Sequence, residues 1–268
     1  MLLLGYISSF IMGTLLGLIG AGGSILTVPI LFYFFGQDAM FATTNSLFIV
    51  GIAALVGALI RIKEGDANIK VGILFAAPSF LGIYLVRSFL LPSIPDVLIS
   101  QSGFTVTKPL LVMTVFAGIM IFSSWAMIRS GNTDGIDSLK DNMISQNIAS
   151  IALKGLLLGG ITGFVGAGGG FLIIPALVLL FEFPIKQAIG TSLMIVAANS
   201  LFGFAISFRS VKTENCPLLL SICTLGIAGM FLGQIFSSKM NERYLKRGFG
   251  YFTLTVASFI LWDQSMRL

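Results

Sequence analysis

Leu18-Ile-Gly-Ala-Gly-Gly-Ser-Ile-Leu-Thr-Val-Pro29 is an apolar stretch interrupted by a cluster of glycines. It returns 146 residues later as Phe164-Val-Gly-Ala-Gly-Gly-Gly-Phe-Leu-Ile-Ile-Pro175. The same spacing aligns Gly17–Arg61 with Gly163–Ser207 without gaps. Chance does not give a shared Gly-Ala-Gly-Gly at a fixed distance from a shared proline, even in an apolar chain. A duplicated membrane unit whose helix is broken by glycines is typical of secondary transporters.

Composition places the chain in a membrane. Of the 268 residues, 56% are hydrophobic and 10% are charged, whereas an average soluble domain has about 25% charged residues. The sequence therefore predicts an all-α integral membrane protein. The opening Met1–Tyr6 has no basic region, so we expect a first membrane segment rather than a cleaved signal. The net charge of +5 lies mostly in short loops, where topology and anionic lipid explain it better than nucleic acid does.

Apolar runs bounded by polar residues predict two homologous repeats of four membrane segments each, about eight in all. The first repeat covers residues 1–130, a polar linker covers residues 131–146, and the second repeat covers residues 147–268. Leu91–Lys108 is predicted to be an irregular connection. The runs are Leu2–Phe35, Ala42–Ile60, Ile69–Val86, Pro109–Ile128, Ile148–Phe181, Ala188–Phe208, Leu218–Phe236 and Tyr244–Trp262.

The first run of each repeat is too long for one simple span. Leu2–Phe35 would extend about 51 Å as a helix, whereas the hydrocarbon core of a bilayer is about 30 Å thick. Either the run folds into a hairpin at its glycines, or it tilts and protrudes. Hairpins would put 11 of the 16 Lys and Arg residues on one side, which agrees better with the positive-inside rule. They would also make the halves inverted repeats with the N-terminus outside.

The glycine clusters are predicted to bind a small anion. Glycine leaves backbone N–H groups unobstructed, and each cluster precedes a new helix whose first N–H groups lack partners and carry partial positive charge. Pro29 and Pro175 would lie near the start of these half-helices, where proline is tolerated. The alternative is that small residues merely allow close helix packing. The candidate substrate-binding residues of the clusters are Gly20, Ala21, Gly22, Gly23, Ser24, Gly166, Ala167, Gly168, Gly169 and Gly170.

The following helix of each repeat supplies uncharged hydrogen-bond donors, which can hold an oxyanion and still release it. Helix capping explains one threonine in each cluster equally well, and Asn45 and Asn199 could instead bond between helices. The candidate substrate-binding residues of these helices are Thr43, Thr44, Asn45, Ser46, Gly190, Thr191, Ser192 and Asn199.

What the sequence lacks limits the chemistry. The chain has no histidine and no carboxylate clearly inside a run, so we expect no enzyme, no catalytic residue, no metal and no cofactor. Cys216 and Cys223 would lie about 10 Å apart on one helix, too far for a disulfide. Arg61, Arg87 and Arg209 lie at run ends and are expected to snorkel to the interface. The anion would then be held without a buried arginine.

The two glycine motifs, with Ala188-Ile-Gly-Thr-Ser192, resemble the sulfite exporter TauE/SafE family over essentially the whole chain. The resemblance implies a multi-pass inner-membrane permease for small anions, commonly sulfite, thiosulfate or organosulfonates. We expect a small anionic substrate, a coupling proton or Na⁺, and membrane lipid as partners. The alternative is an anion channel or a Na⁺-coupled carrier of another small solute. The halves differ at Thr44-Asn45, whose counterpart is Gly190-Thr191, so a symmetric site is in doubt.

Overall fold

The computed structural model describes residues 2–37, 39–90, 93–95, 97–101, 104–129, 148–165, 170–180, 183–207 and 216–266. This part of the chain is predominantly helical. The predicted linker at residues 131–146 lies outside it. The helices are α1 (Leu2–Ile19), α2 (Ala39–Glu64), α3 (Ile69–Leu85), α4 (Lys108–Arg129), α5 (Ile148–Val165), α6 (Gly170–Leu180), α7 (Ile185–Ser207), α8 (Cys216–Lys239) and α9 (Glu242–Met266).

The helices follow the predicted runs in order, with ends that differ by a few residues. Five of them are long and apolar enough to cross a membrane, and the protein is a multi-pass membrane protein. The division into two repeats of four segments stays a prediction. The five candidate spans are Leu2–Ile19, Phe41–Glu64, Ile69–Leu90, Ile185–Ala205 and Pro217–Lys239.

The connection before α4 corrects one expectation. Leu91–Lys108 is predicted to be irregular, but it contains two short antiparallel strands, β1 (Val97–Gln101) and β2 (Phe104–Thr107). The two residues between the strands, Ser102 and Gly103, lie outside the described residues.

The first apolar run folds back on itself. α1 ends at Ile19, and Gly20 has a φ of +74°, a left-handed conformation that glycine adopts readily. The chain then returns along α1 and brings Phe35 beside Tyr6, with ring centroids 5.3 Å apart. We call Gly20–Phe34 the return segment. It consists of a 3₁₀-helix over Gly20–Leu26, a single α-helical turn over Thr27–Pro29 and a π-helical turn over Ile30–Phe34.

The return segment differs from the new helix predicted after the first glycine cluster. Only one turn of it is α-helical, and the pattern becomes π-helical directly after Pro29. The corresponding element of the second half, α6, is a continuous α-helix with Pro175 inside it. The predicted α-helix therefore forms after the second glycine cluster but not directly after the first.

The helix that opens each half packs along a long helix of the other half. α1 packs along α8, and α5 packs along α3. Glycines bring the backbones into contact: a methyl group on Gly229 would lie 2.2 Å from Phe10 O, and one on Gly82 would lie 2.3 Å from Leu156 O. Phe10 and Leu156 are separated by the 146-residue spacing of the sequence repeat. The facing glycines, Gly82 and Gly229, are 147 residues apart.

The second helices of the two halves, α2 and α7, cross the centre of the molecule side by side and antiparallel. Gly51 contacts Leu201, and Gly203 contacts Leu47. The largest buried apolar cluster lies around this pair and includes Val50 and the other residues of α2 and α7 that face each other.

The direction of each helix follows from these contacts. Because the return segment ends beside the start of α1, α2 leaves from that same side and reaches the opposite one, where α3 begins. α5 runs parallel to α3, since Gly155 contacts Phe75 and Gly159 contacts Ser79. α5 therefore starts on the side opposite to the start of α1. Inverted repeats would produce this arrangement.

Candidate functional site

The first glycine cluster lies against the second half. A methyl group on Gly20 would lie 3.0 Å from Ile174 Cδ1 of α6 and 3.1 Å from Ser192 Oγ of α7. Gly23 instead packs on its own half, where a methyl group would lie 2.5 Å from Leu16 N. Gly20 thus brings two predicted site elements together. Gly23 instead allows close helix packing, which was the alternative role for the glycines.

Two hydroxyls of α7 lie beside this contact and are fully buried. Thr191 Oγ1 accepts a hydrogen bond from the Asn68 backbone N–H at 3.0 Å, so its proton can still be donated to another acceptor. Ser192 Oγ donates to Ile189 O at 2.8 Å, so its proton is already in use. Of the two, Thr191 is the better placed to donate to a ligand.

The matching residues of α2 lie toward the other side. Ser46 Oγ donates to Thr43 O at 2.7 Å, the bond that Ser192 makes in the second half. Asn45 Nδ2 donates to Gln37 Oε1 at 3.0 Å, while Asn45 Oδ1 is buried and has no partner among the residues that the structure describes. Asn45 therefore keeps one polar atom for a ligand or a water molecule.

Asn199 has a partner within the protein. It exchanges a 3.3 Å hydrogen bond with the hydroxyl of Ser79 on α3, in the other half. This contact gives Asn199 the interhelical role that the sequence left open.

The remaining predicted residues divide into three groups. Ala21 and Gly22 lie in the 3₁₀-helix of the return segment, and Gly170 begins α6. Outside the described residues lie Gly166, Ala167, Gly168 and Gly169. Buried in the described part are Ser24, Thr44 and Gly190.

Arg61 contradicts the expectation that it snorkels to the interface, because its side chain is 0% exposed. Nη1 donates to Asp66 Oδ2 at 3.2 Å and pairs with Glu64 Oε2 at 3.6 Å. Nε and Nη2 have no hydrogen-bond partner among the described residues. A buried donor without a partner costs about 1–3 kcal/mol, so this arrangement needs a reason. The Arg87 side chain and Arg209 lie outside the described residues.

The local sequence explains how Arg61 is held. Gly65 adopts φ +80° at the end of α2, and its N–H donates to Ile62 O at 3.2 Å while the Asp66 N–H donates to Arg61 O at 2.9 Å. This is the Schellman ending of a helix, and it folds Asp66 back over Arg61. Gly190 of α7 completes the enclosure, since a methyl group there would lie 2.0 Å from Asp66 O.

A second pair of buried polar residues lies on the facing helix α8. Gln234 Nε2 donates to Gly57 O at 2.9 Å, one helical turn before Arg61. Gln234 Oε1 and Ser237 Oγ are buried and have no hydrogen-bond partner in the described part of the chain. Unpartnered donors and acceptors therefore gather at the Arg61 end of α2 and α8.

Other binding features of the described chain do not compete with this site. No group of three or more His, Cys, Asp or Glu side chains in the described ranges could hold a metal ion. A cavity of about 370 Å³ between α3, α4 and α5 is lined by apolar residues such as Leu85, Val86 and Leu156. An apolar lining offers nothing to an anion.

The comparisons with known proteins agree with the fold. A model of the sulfite exporter TauE/SafE family matches residues 6–260. A probable membrane transporter protein of Xylella fastidiosa is 26% identical over 258 residues, 95% of this chain and 93% of that protein. Probable membrane transporter proteins of Methanocaldococcus jannaschii and Bacillus subtilis are 29% and 27% identical over 244 and 249 residues, 87% of this chain in both cases and 82% and 87% of those proteins. No solved structure matches. The chain belongs to the sulfite exporter TauE/SafE family.

Proposed function

We propose that this protein is a secondary transporter of small anions, and that its substrates are sulfur compounds such as sulfite, thiosulfate or organosulfonates. Family membership and the names of the relatives support transport. The anion is inferred from the N–H-rich glycine clusters, the buried uncharged donors and the family description.

The contact between Gly20 of the first half and Ser192 of the second carries this proposal. Two elements predicted from sequence to bind the substrate meet across the boundary between the halves. A site shared by two inverted repeats opens to either side when one repeat rocks against the other, which is alternating access. We place the substrate at this boundary, held by backbone N–H groups of the first cluster and by the Thr191 hydroxyl. Thr44 and Asn45 lie near the opposite end of α2, about 24 Å from Arg61 by helical rise, and are not part of this site.

The charge distribution sets the proposed orientation. When the chain is followed through the helix directions described above, 11 of the 16 Lys and Arg residues fall on the side where α2 ends. By the positive-inside rule this side faces the cytoplasm. The N-terminus then lies outside, and Arg61 lies toward the cytoplasmic end.

A Na⁺-coupled carrier is the second candidate, and one observation favours it. Thr27 Oγ1 in the return segment and Asn45 Oδ1 in α2 are buried oxygens that find no hydrogen-bond partner within the described ranges. Oxygen atoms are the ligands that hard cations prefer. Flux measured with and without a Na⁺ or proton gradient separates this candidate from an uncoupled anion pathway.

The test is anion binding followed by transport. We expect sulfite, thiosulfate or a sulfonate to raise the melting temperature of the purified protein and to exchange across proteoliposomes. Thr191→Ala should weaken binding about ten- to a hundred-fold, because a hydrogen bond to a charged ligand contributes about 1.5–3 kcal/mol. Asn45→Ala, near the opposite end of α2, should leave the affinity unchanged. Unchanged affinity of Thr191→Ala, or binding of cations or neutral solutes only, would contradict the proposed site.

A further inference from the structure

We propose that the Nε–Nη2 edge of Arg61 binds two oxygen atoms of the transported anion. This inference rests on the proposed function and adds to it a charged recognition residue and a narrower substrate class. It starts from a fully buried guanidinium that is fixed on one side and unpartnered on the other.

The fixed side is Nη1, held by Asp66 at 3.2 Å. Asp66 is itself positioned by the Schellman ending of α2 and by the backbone contact with Gly190. The guanidinium is planar, so anchoring Nη1 also sets the direction in which the other two nitrogens present their protons. Arg61 therefore stays oriented without a ligand.

The open side is the Nε–Nη2 edge, which carries two roughly parallel N–H groups. This is a geometry that matches two oxygens bonded to one central atom, as in carboxylates and phosphates. Sulfite, sulfonates and thiosulfate also carry at least two oxygens on one sulfur. A halide has a single centre and cannot accept both bonds in this way.

The surroundings connect Arg61 to the predicted site. The chain between α2 and α3 is tied to α7 by the hydrogen bond from Asn68 N–H to Thr191 Oγ1 at 3.0 Å. Ser192, the next residue, lies against Gly20 of the first glycine cluster. On the facing helix, the unpartnered Ser237 hydroxyl offers one more donor near this end. Arg61 thus lies at the same depth along the helices as the contact between the two halves at Gly20 and Ser192.

The test compares Arg61→Gln and Arg61→Lys with the matched control Lys63→Gln. Lys63 is exposed on the same last turn of α2, so its replacement removes the same charge without touching the buried edge. Calorimetric titration with sulfite and with methanesulfonate should show binding at least about tenfold weaker in Arg61→Gln. Arg61→Lys keeps the charge but not the paired donors and should recover only part of the loss. Lys63→Gln should bind as the unmodified protein does, and bromide should not compete.

Each outcome decides something different. If the unmodified protein binds none of the anions, the proposed function fails, and this inference fails with it. If it binds them and Arg61→Gln binds within twofold of Lys63→Gln, the role of Arg61 is refuted while the proposed function stands. If neither Arg61 variant folds, the unmodified protein is crystallised with selenite, whose selenium is located by its anomalous signal. Selenium in contact with the Arg61 guanidinium supports the proposal, and selenium bound only elsewhere overturns it.

Discussion

Replacing Gly229 by alanine should destabilise the protein by about 1–3 kcal/mol, the range for overpacked interiors. A methyl group there would lie 2.2 Å from Phe10 O and 2.9 Å from Thr14 N, which are backbone atoms of α1. Neither atom can move alone, because both belong to a hydrogen-bonded helix. α1 and α8 therefore have to separate by about 1 Å, and a gap of that size loses a quarter to a half of the dispersion energy of each contact it opens.

The control lies one turn away on the same helix. A methyl group on Gly226 would meet only Met12 Cε, at an ordinary 3.8 Å, so Gly226→Ala should be neutral or more stable by about 0.5–1 kcal/mol through helix propensity. The free energy of unfolding is measured by titrating both variants with SDS in mixed micelles and following the helical circular dichroism. Equal stability of Gly229→Ala and Gly226→Ala would refute direct backbone contact between α1 and α8.

The same experiment tests the equivalence of the two halves. A methyl group on Gly82 would lie 2.3 Å from Leu156 O and 2.7 Å from Gly160 N, a backbone contact of α3 on α5 like that of α8 on α1 at Gly229. Gly82→Ala should lose as much stability as Gly229→Ala, because the first substitution separates α3 from α5 and the second separates α8 from α1. A loss in only one of the two variants would contradict the inverted-repeat arrangement.

The other contacts give two further predictions. Ser79→Ala and Asn199→Ala should each cost about 1–3 kcal/mol, because each leaves a buried partner unpaired; the double variant should lose less than the sum, and additive losses would exclude the bond. Gly20→Ala should cost about 1–2 kcal/mol for the left-handed backbone alone, plus the close approach to Ser192 at 3.1 Å. Gly36→Ala is its control, with φ +62° and no atom within 4 Å, and equal losses would show that the contact contributes nothing.

Most of the helical framework could be predicted from the sequence. Apolar runs of membrane length bounded by charged residues locate α2, α3, α4, α7, α8 and α9 to within a few residues. Two alternatives for the first run were open, and the left-handed Gly20 and the contact between Tyr6 and Phe35 are features of a hairpin. A glycine break shared by both halves stays a prediction. The β1–β2 hairpin was missed although Ser102-Gly103 between two β-branched stretches signals it, since the nearby prolines suggested irregular structure.

The site could be predicted only in part. Matched glycine clusters and donors predicted Gly20 and Ser192 as site residues. The structure brings these two residues together, while their role in binding stays a prediction. Arg61 was misjudged, because an arginine at the end of an apolar run ordinarily reaches the interface. The local signal for its burial is Glu64-Gly-Asp66, which begins three residues after Arg61. The glycine ends the helix and places the Asp66 carboxylate beside the arginine. That α7 also encloses it depends on tertiary packing, which no local pattern shows.

The two halves differ where the chemistry is proposed. Arg61 has Ser207 as its counterpart in the repeat, and Gly190 has Thr44. The buried Arg61 requires the glycine at position 190. The Cβ of any other residue there would lie 2.0 Å from Asp66 O and collide with it. A glycine at that one position therefore lets α7 close over the Arg61–Asp66 turn. The proposed anion site is therefore asymmetric, because the first half supplies Arg61 and the second has a serine at the matching position.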